Sequence, residues 1–350
     1  MDAGTTQTDK PIWRAVVDGV EHLVVKTGST TRRFMTVQEE ETFYNIFKGE
    51  LQYRKPDVVF LWGGLLLERA IMRDSRDAGI PVAFYLVNGG YRDKTVFKDV
   101  SVVITDTQAT ADLYKERHDL DCKVVGKFIE PGGVKPLVPR RPDAITFINP
   151  SFEKGVSVFM PLVRLAAQEL PEAKFLVVQS RGRWEHALEE LKFRPEDFPN
   201  VKVISHQHDM RRVYASTRVL LLPSLWHESG ARVIAEAQLN GIPVIASDTG
   251  GSAELIGKGG VVLPLPQEVR ENRTKVVVTE EDLRPWLAEL TRVIRDQQYY
   301  DDLCHITEIE GRKHDIEIST DRFINALAQA ALSVAGKGSA PLARLAEVEH

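Results

Sequence analysis

The sequence predicts an α/β protein with parallel sheets, arranged as two Rossmann-like halves on either side of a cleft. Three observations carry that expectation. Short β-rich runs of continuous apolarity succeed one another from about Pro56 onward, amphipathic segments of helical period lie between them, and a Pro/Gly-rich stretch interrupts the alternation midway. Continuous rather than alternating apolarity marks strands covered on both faces, and repeated βαβ order with a central break means two parallel sheets.

Residues 1–55 are less regular, with one hairpin around "AVVDGVEHLVVKTG" and then the helix-like "TVQEEETFYNIFKGELQ". Strands are expected at "DVVFLW", "PVAFYLV", "VSVVIT" and "CKVVG", after which "PGGVKPLVPRRPDA", from Pro131 to Ala144, reads as a linker. The second run of strands is "AITFIN", "KFLVVQS", "VKVIS", "RVLLLP", "IPVIAS" and "GVVLPL". Helices are expected at Val158–Glu169, Trp184–Leu191, Met210–Ala215 and Arg232–Asn240. In "TEEDLRPWLAELTRVIRDQ", Thr279 and Asp282 have capping-box spacing; further helices run to about Ala331, and "AGKGSAPLARLAEVEH" reads as a frayed tail. The expected domains are 1–138, a short Rossmann-like domain; 139–318, a second Rossmann-like domain; and 319–350, a helix and tail.

Composition excludes several classes of function. With 350 residues, 43% hydrophobic and 27% charged, the chain is long enough for two cores, and a net charge of −5 lacks the basic footprint that nucleic-acid binding needs. Its cysteines, Cys122 and Cys304, match no metal or redox spacing, which points to a reducing compartment. No apolar run approaches the roughly 20 residues of a membrane span, and the polar start "MDAGTTQTDK" is unlike a signal peptide. The expected location is the cytoplasm, with peripheral membrane contact left open.

The stretch His227–Gly251, "HESGARVIAEAQLNGIPVIASDTGG", sets Glu228 and Glu236 on either side of a helix start. An i, i+8 spacing puts them ~12 Å apart along the axis and on roughly the same side. That is too far for the paired carboxylates of a glycosidase, about 5–10 Å apart, or for a two-metal site. It suits the two ends of an elongated ligand whose middle, a phosphate, lies on the helix N-terminus. Ser229, Gly230 and Ala231 are small enough for an anion to approach there. A nucleoside diphosphate sugar has that layout. The plainer alternative, Glu228 as a cap and Glu236 as a solvated acid, is weakened by position: the preceding strand "RVLLLPS" ends where open α/β sheets bind ligands, and "NGIPVIASDTGGSAELI" supplies a second glycine-containing turn after the next strand.

From Leu220 to Ile256 the chain resembles glycosyltransferase family four: a Glu, seven residues, a second Glu on a helix, then "GIPVIAS" and a "GG" turn. A weaker likeness extends from about Ile80 to Ile318. The resemblance implies the two-domain GT-B fold, retaining transfer of a sugar from a nucleotide sugar, and no metal or other cofactor. It implies that Glu236 holds the ribose hydroxyls and that Glu228 lies at the sugar end of the donor. The backbone of Ser229, Gly230, Ala231, Arg232 and Val233 then contacts hexose and phosphate. In "FINPSFEKG", Lys154 falls on the lysine that neutralises the pyrophosphate, a role its ammonium suits. Asn149 stands near where the family often has an arginine, and Arg181 or Arg183 is the substitute. "PVAFYLVNGG" is similar to the strand that ends in a His near the reacting sugar; Asn88 takes that place here, followed by Gly89 and Gly90. An amide is no base, which front-face retaining transfer tolerates because leaving phosphate and acceptor exchange the proton directly. Gly230 replaces a bulky residue of the family, which changes the shape expected of the sugar pocket.

Other constellations carry less. His206–Asp209, "HQHD", holds the His-x-His of metal sites but no third ligand, and its place after a strand favours His206 as a contact to the nucleotide base. "GGSAELIGKGG" fails the phosphate-loop pattern because five residues separate Gly251 from Gly257 and Gly259 replaces the required Ser or Thr. No strand is followed by G-x-G-x-x-G, against a dinucleotide oxidoreductase, and the aromatic and Met residues of Val158–Leu165 read as core.

The expected function is therefore a metal-independent retaining glycosyltransferase, with Glu228, Lys154 and Asn88 as its catalytic set. Its donor is a nucleoside diphosphate sugar, and its acceptor a sugar, a lipid-linked molecule or another small molecule. Catalysis is electrostatic stabilisation of the leaving diphosphate. Two other classes stay open: a nucleotide-sugar-binding subunit or inactive paralogue that needs a partner chain, because the first domain is short, and an epimerase of related fold that hydrolyses its nucleotide sugar.

Overall fold

The structure is a computed structural model that describes residues 12–335. The polar start and, beyond Ala335, the expected tail lie outside the described residues. An antiparallel hairpin, β1 (Ile12–Val17) and β2 (Val20–Val25), turns through Asp18 and Gly19, both at positive φ as an Asp-Gly turn of this kind requires. Helix α1 (Val37–Arg54) opens with a reciprocal capping box between Thr36 and Glu39. There follow β3 (Val59–Leu61), α2 (Leu66–Asp77), β4 (Val82–Leu86), β5 (Val102–Thr105), α3 (Gln108–His118) and β6 (Cys122–Val124). β3 pairs with β4, and β5 with β6, in parallel register. A short helix, α4 (Pro131–Val134), occupies the head of the Pro/Gly-rich stretch.

The remaining strands are β7 (Ala144–Ile148), β8 (Lys174–Val178), β9 (Val201–Ile204), β10 (Thr217–Leu222), β11 (Val244–Ser247) and β12 (Gly260–Leu263). They form one parallel sheet in the order β12-β11-β10-β7-β8-β9. The helices between them are α5 (Val156–Glu169), α6 (Trp184–Leu191), α7 (Arg211–Ser216), α8 (Arg232–Gln238) and α9 (Ser252–Ile256). Four more follow: α10 (Gln267–Glu271), α11 (Glu280–Arg295), capped by Thr279 and Asp282 as expected, α12 (Gln297–Gly311) and α13 (Ile316–Ala335).

This sheet explains why its strands read as unbroken apolar runs. Successive side chains point to opposite faces, and both faces are covered. In β10, Val219 and Leu221 enter one core cluster with α5 and α11, while Leu220 and Leu222 enter another with α7 and α8. In β11, Ile245 goes to the first, and Val244 and Ala246 to the second. Contacts divide the described residues into two compact units: residues 12–85, 93–102 and 327–335 in one, Leu86–Arg92 and Val103–Ala326 in the other. No described helix is long and apolar enough to cross a membrane.

Candidate active site

The site is built in the second unit from turns at the carboxyl ends of strands. After β7 the backbone enters the left-handed region at Asn149, one of the few residue types that tolerates it. Asn149 N–H donates to the Val178 carbonyl at 2.8 Å and its Oδ1 accepts from Gly182 N–H at 2.7 Å, so this residue joins the loops after β7 and β8. The chain then turns through Gly155, at φ +81°, where a Cβ would collide with the Pro223 carbonyl. The carbonyl of Glu153 accepts from Leu225 N–H at 2.9 Å and from Ser224 Oγ at 3.1 Å. Only glycine permits that approach of the two loops.

The consequence is an ion pair: Lys154 Nζ lies 2.6 Å from Glu228 Oε1, and Ser224 Oγ donates to the same oxygen at 2.6 Å. The Glu228 side chain is 5% exposed and that of Lys154 24%, so the carboxylate is enclosed and the ammonium is reachable. The "GG" turn closes around the same residue. Gly250, at φ +56°, lies against the Glu228 backbone where a Cβ would not fit, and Gly251 N–H donates to the Glu228 carbonyl at 2.6 Å.

At the other end of α8, Glu236 is buried rather than solvated. Tyr214 OH donates to its Oε2 at 2.5 Å, Arg232 Nε donates to its Oε1, and Asn240 Nδ2 holds its backbone carbonyl at 2.8 Å. Burial and the adjacent carboxylate push the Tyr214 phenol well above its ordinary pKa, so it stays a donor. Helix α8 begins at Arg232 with Ala231 as its N-cap, and no side chain caps it. Among the described residues, the backbone N–H groups of Gly230, Ala231, Arg232 and Val233 meet no chain acceptor. Such N–H groups are available to an anion.

Ser229 and Gly230 are gripped from below. Thr107 Oγ1 and Thr110 Oγ1 donate to the Ser229 carbonyl at 2.5 and 3.3 Å, and Ser229 Oγ donates to the Val87 carbonyl at 2.6 Å. A Cβ on Gly230 would stand 2.6 Å from Asp106 Cβ and 2.9 Å from Lys127 Cε. Those two side chains form their own ion pair at 2.5 Å, with the carboxylate fully buried. The space that a bulky residue at position 230 would need is thus already occupied, and Gly230 leaves no vacancy beside it.

The other expected residues are placed less uniformly. Asn88 accepts at Oδ1 from Gly90 N–H, 2.8 Å, and at its carbonyl from Tyr114 OH, 2.9 Å, so the amide oxygen stabilises its own turn. Gly89 lies beside the His227 ring, with 3.0 Å between a would-be Cβ and the ring carbons. This brings the Asn88–Gly90 turn next to Glu228. His227 Nε2 is 3.1 Å from Thr110 Oγ1, and burial together with Arg117 lowers its pKa. Arg181 is exposed and has no partner among the described residues, and exposed Arg183 is 3.9 Å from Glu185. His206 is exposed after β9, its ring edge-on to His208. No described contact joins Arg181 or His206 to the Glu228–Glu236 segment. Among the described residues no group of three His, Cys, Asp or Glu side chains could hold a metal ion. Tyr214, Ser224, Thr107, Thr110 and the Asp106–Lys127 pair were not visible in the sequence. Each acts across elements, and only a hydroxyl or charge inside an otherwise apolar segment hints at it.

Residues 144–296 match the family model described as "Glycosyl transferases group 1". The sulfoquinovosyl transferase SQD2 of Arabidopsis thaliana is 25% identical over 179 residues, 51% of this chain and 32% of that protein. The chain thus spans about a third of that relative's length. Among solved structures it is similar to the sucrose-phosphate synthase of Thermosynechococcus elongatus, with a TM-score of 0.71 and 14% identity over 95% of this chain and 87% of that one. It is also similar to the pneumococcal O-GlcNAc transferase GtfA, solved with UDP and GlcNAc: TM-score 0.67, 14% identity, 91% of this chain and 69% of that one. Anabaena HepE, solved with UDP and glucose, gives a TM-score of 0.61 and 16% identity over 87% of this chain and 84% of that one. These likenesses show the fold, GT-B. Over residues 144–296 the chain matches a glycosyltransferase family model, and it is similar over 179 residues to a sugar transferase.

Proposed function

We propose that the protein is a retaining glycosyltransferase that moves a sugar from a nucleoside diphosphate sugar to an acceptor, without a metal. The observation that carries this reading is the Lys154–Glu228 pair at 2.6 Å, which stands beside four backbone N–H groups without a partner among the described residues and at the opposite end of a short helix from the buried carboxylate of Glu236. An enclosed glutamate, a reachable ammonium and free N–H groups answer in turn to sugar hydroxyls, a leaving phosphate and its partner phosphate. Glu236 then takes the ribose hydroxyls, and Lys154 stabilises the charge that grows on the leaving phosphate oxygen. Residues 139–318 form the donor side, residues 1–138 the acceptor side, and Asn88 lies at the reacting sugar. Because a lysine and backbone dipoles supply the countercharge, no divalent ion is required. UDP in two of the similar structures makes uracil the first base to try.

The test is turnover by the purified chain with UDP-sugars and a panel of sugar and lipid-linked acceptors, reading the product anomer by nuclear magnetic resonance. Retention of configuration in the presence of excess chelator is the expected result. Inversion, or activity restored only by Mg²⁺ or Mn²⁺, would overturn the retaining, metal-free route. Nucleotide release without acceptor would instead identify a hydrolysing epimerase, and tight binding without turnover a donor-binding subunit.

A further inference from the structure

Tyr214 has no assigned role in sugar transfer, yet its hydroxyl holds the buried carboxylate of Glu236 from another helix. It sits on α7, completely buried, in the core cluster that also takes Leu220 of β10 and Ile234 of α8. Its hydroxyl donates to Glu236 Oε2 at 2.5 Å, and Arg232 Nε donates to the other oxygen. The two holds differ in kind. The Arg232 side chain is 63% exposed and shares a helix with Glu236, whereas Tyr214 reaches from another element and cannot move without opening the core.

A carboxylate has about four acceptor positions. Tyr214 and Arg232 take two, one on each oxygen, which leaves one lone pair on each oxygen for a neighbouring pair of hydroxyls. A vicinal diol such as ribose offers that pair. We infer that Tyr214 is the positioning residue that orients Glu236 and thereby sets selectivity for ribonucleotide over deoxyribonucleotide donors. The step rests on the proposal that Glu236 faces the ribose. Without the tyrosine hydroxyl, the carboxylate turns about its terminal bond and no longer presents both oxygens. A deoxyribose, which offers one hydroxyl fewer, loses nothing further.

The experiment is calorimetric titration of the full chain and of Tyr214→Phe with UDP, GDP and ADP and with their 2′-deoxy counterparts, beside thermal melts of both proteins. Phe keeps the ring in the core and removes only the hydroxyl. For the diphosphate that the unaltered chain binds most tightly, the expected preference for ribo over deoxy is about 10-fold or more, since a hydrogen bond to a charged group is lost. In Tyr214→Phe that preference should fall to within about 3-fold, with the ribonucleotide weakened and the deoxynucleotide little changed. If the melting temperature drops while the ribo/deoxy ratio stays as it was, Tyr214 is only a core residue and the inference fails with the donor-site reading intact. If the unaltered chain binds a diphosphate without any ribo preference, Glu236 does not face the ribose. If it binds none of the three diphosphates, the proposed function itself is wrong.

Discussion

Lys154 and Glu228, 74 positions apart in sequence, meet because two turns interlock through the Glu153 carbonyl. That pairing decides what Lys154 can do. The ground-state pyrophosphate is already charged, so losing the ammonium weakens binding; more charge develops on the leaving oxygen as the glycosidic bond breaks, so losing it slows turnover further. Lys154→Ala is expected to lower kcat by roughly 100-fold to 1000-fold, more than it raises the donor KM, and Lys154→Arg to restore only part, because a planar fork replaces a point charge. A raised KM at unchanged kcat would move the leaving-group role to Arg181 or Arg183. At the other end, Glu236→Ala should weaken nucleoside diphosphate binding by about 1–3 kcal/mol in a calorimeter. Equal affinity in the two proteins would remove Glu236 from the ribose.

Helices and strands place these side chains, but the turns between them bring them into contact. Gly155 and Gly250 both adopt positive φ and both lie against the backbone of a neighbouring turn, so each combines two requirements that only glycine meets. Gly155→Ala is expected to cost at least about 1–3 kcal/mol by urea unfolding, from the backbone conformation alone, and to lower activity by displacing Lys154. Unchanged stability would show that the β7–α5 turn has another way to close. Nine of the ten strands from β3 to β12 fall wholly inside an apolar run of the sequence, and β10 begins one residue ahead of its run, at Thr217; local composition marks them, most plainly β11, which is buried throughout. The capping box at Thr279 was equally legible, since Ser/Thr-x-x-acid spacing is local; the one at Thr36 has the same spacing and emerges in the structure. The hairpin begins at Ile12, ahead of the stretch that suggested it, because Ile12 and Trp13 pair with Val25 and Val24. The sequence also left Glu236 open to a solvated reading, and its burial depends on Tyr214, 22 positions away on another helix. Nor could composition show that Asp106 and Lys127 fill the space next to Gly230. Local patterns record what an element is made of, and partners between elements leave no such record.

At the scale of the whole molecule, the donor side is tied to the C-terminal helices through a buried histidine. His314 Nε2 lies 2.6 Å from Gln238 Oε1, an atom that can only accept, so the ring donates; Gln238 Nε2 in turn donates to the Ile256 carbonyl at 2.7 Å. Burial and Lys313 push the His314 pKa down to about 4, and that of the half-buried His227 is also lowered. The unfolded chain therefore binds protons that the folded one refuses, and stability should be full above the ordinary histidine value and fall with pH towards 4. The expected loss from His314 is about 3 kcal/mol, seen as a shift in urea midpoint, and His314→Gln should flatten it. A pH-independent midpoint between 6.5 and 4 would contradict this. In the proposed function, residues 139–318 hold a nucleoside diphosphate between Glu228, Lys154 and Glu236. The most direct test is calorimetric titration of the intact protein with UDP, GDP and ADP in excess chelator, beside Lys154→Ala and Glu236→Ala. Saturable binding of at least one diphosphate to the unaltered chain, weakened in both variants, is the expected result. No binding of any of them, or binding that both substitutions leave unchanged, would contradict it.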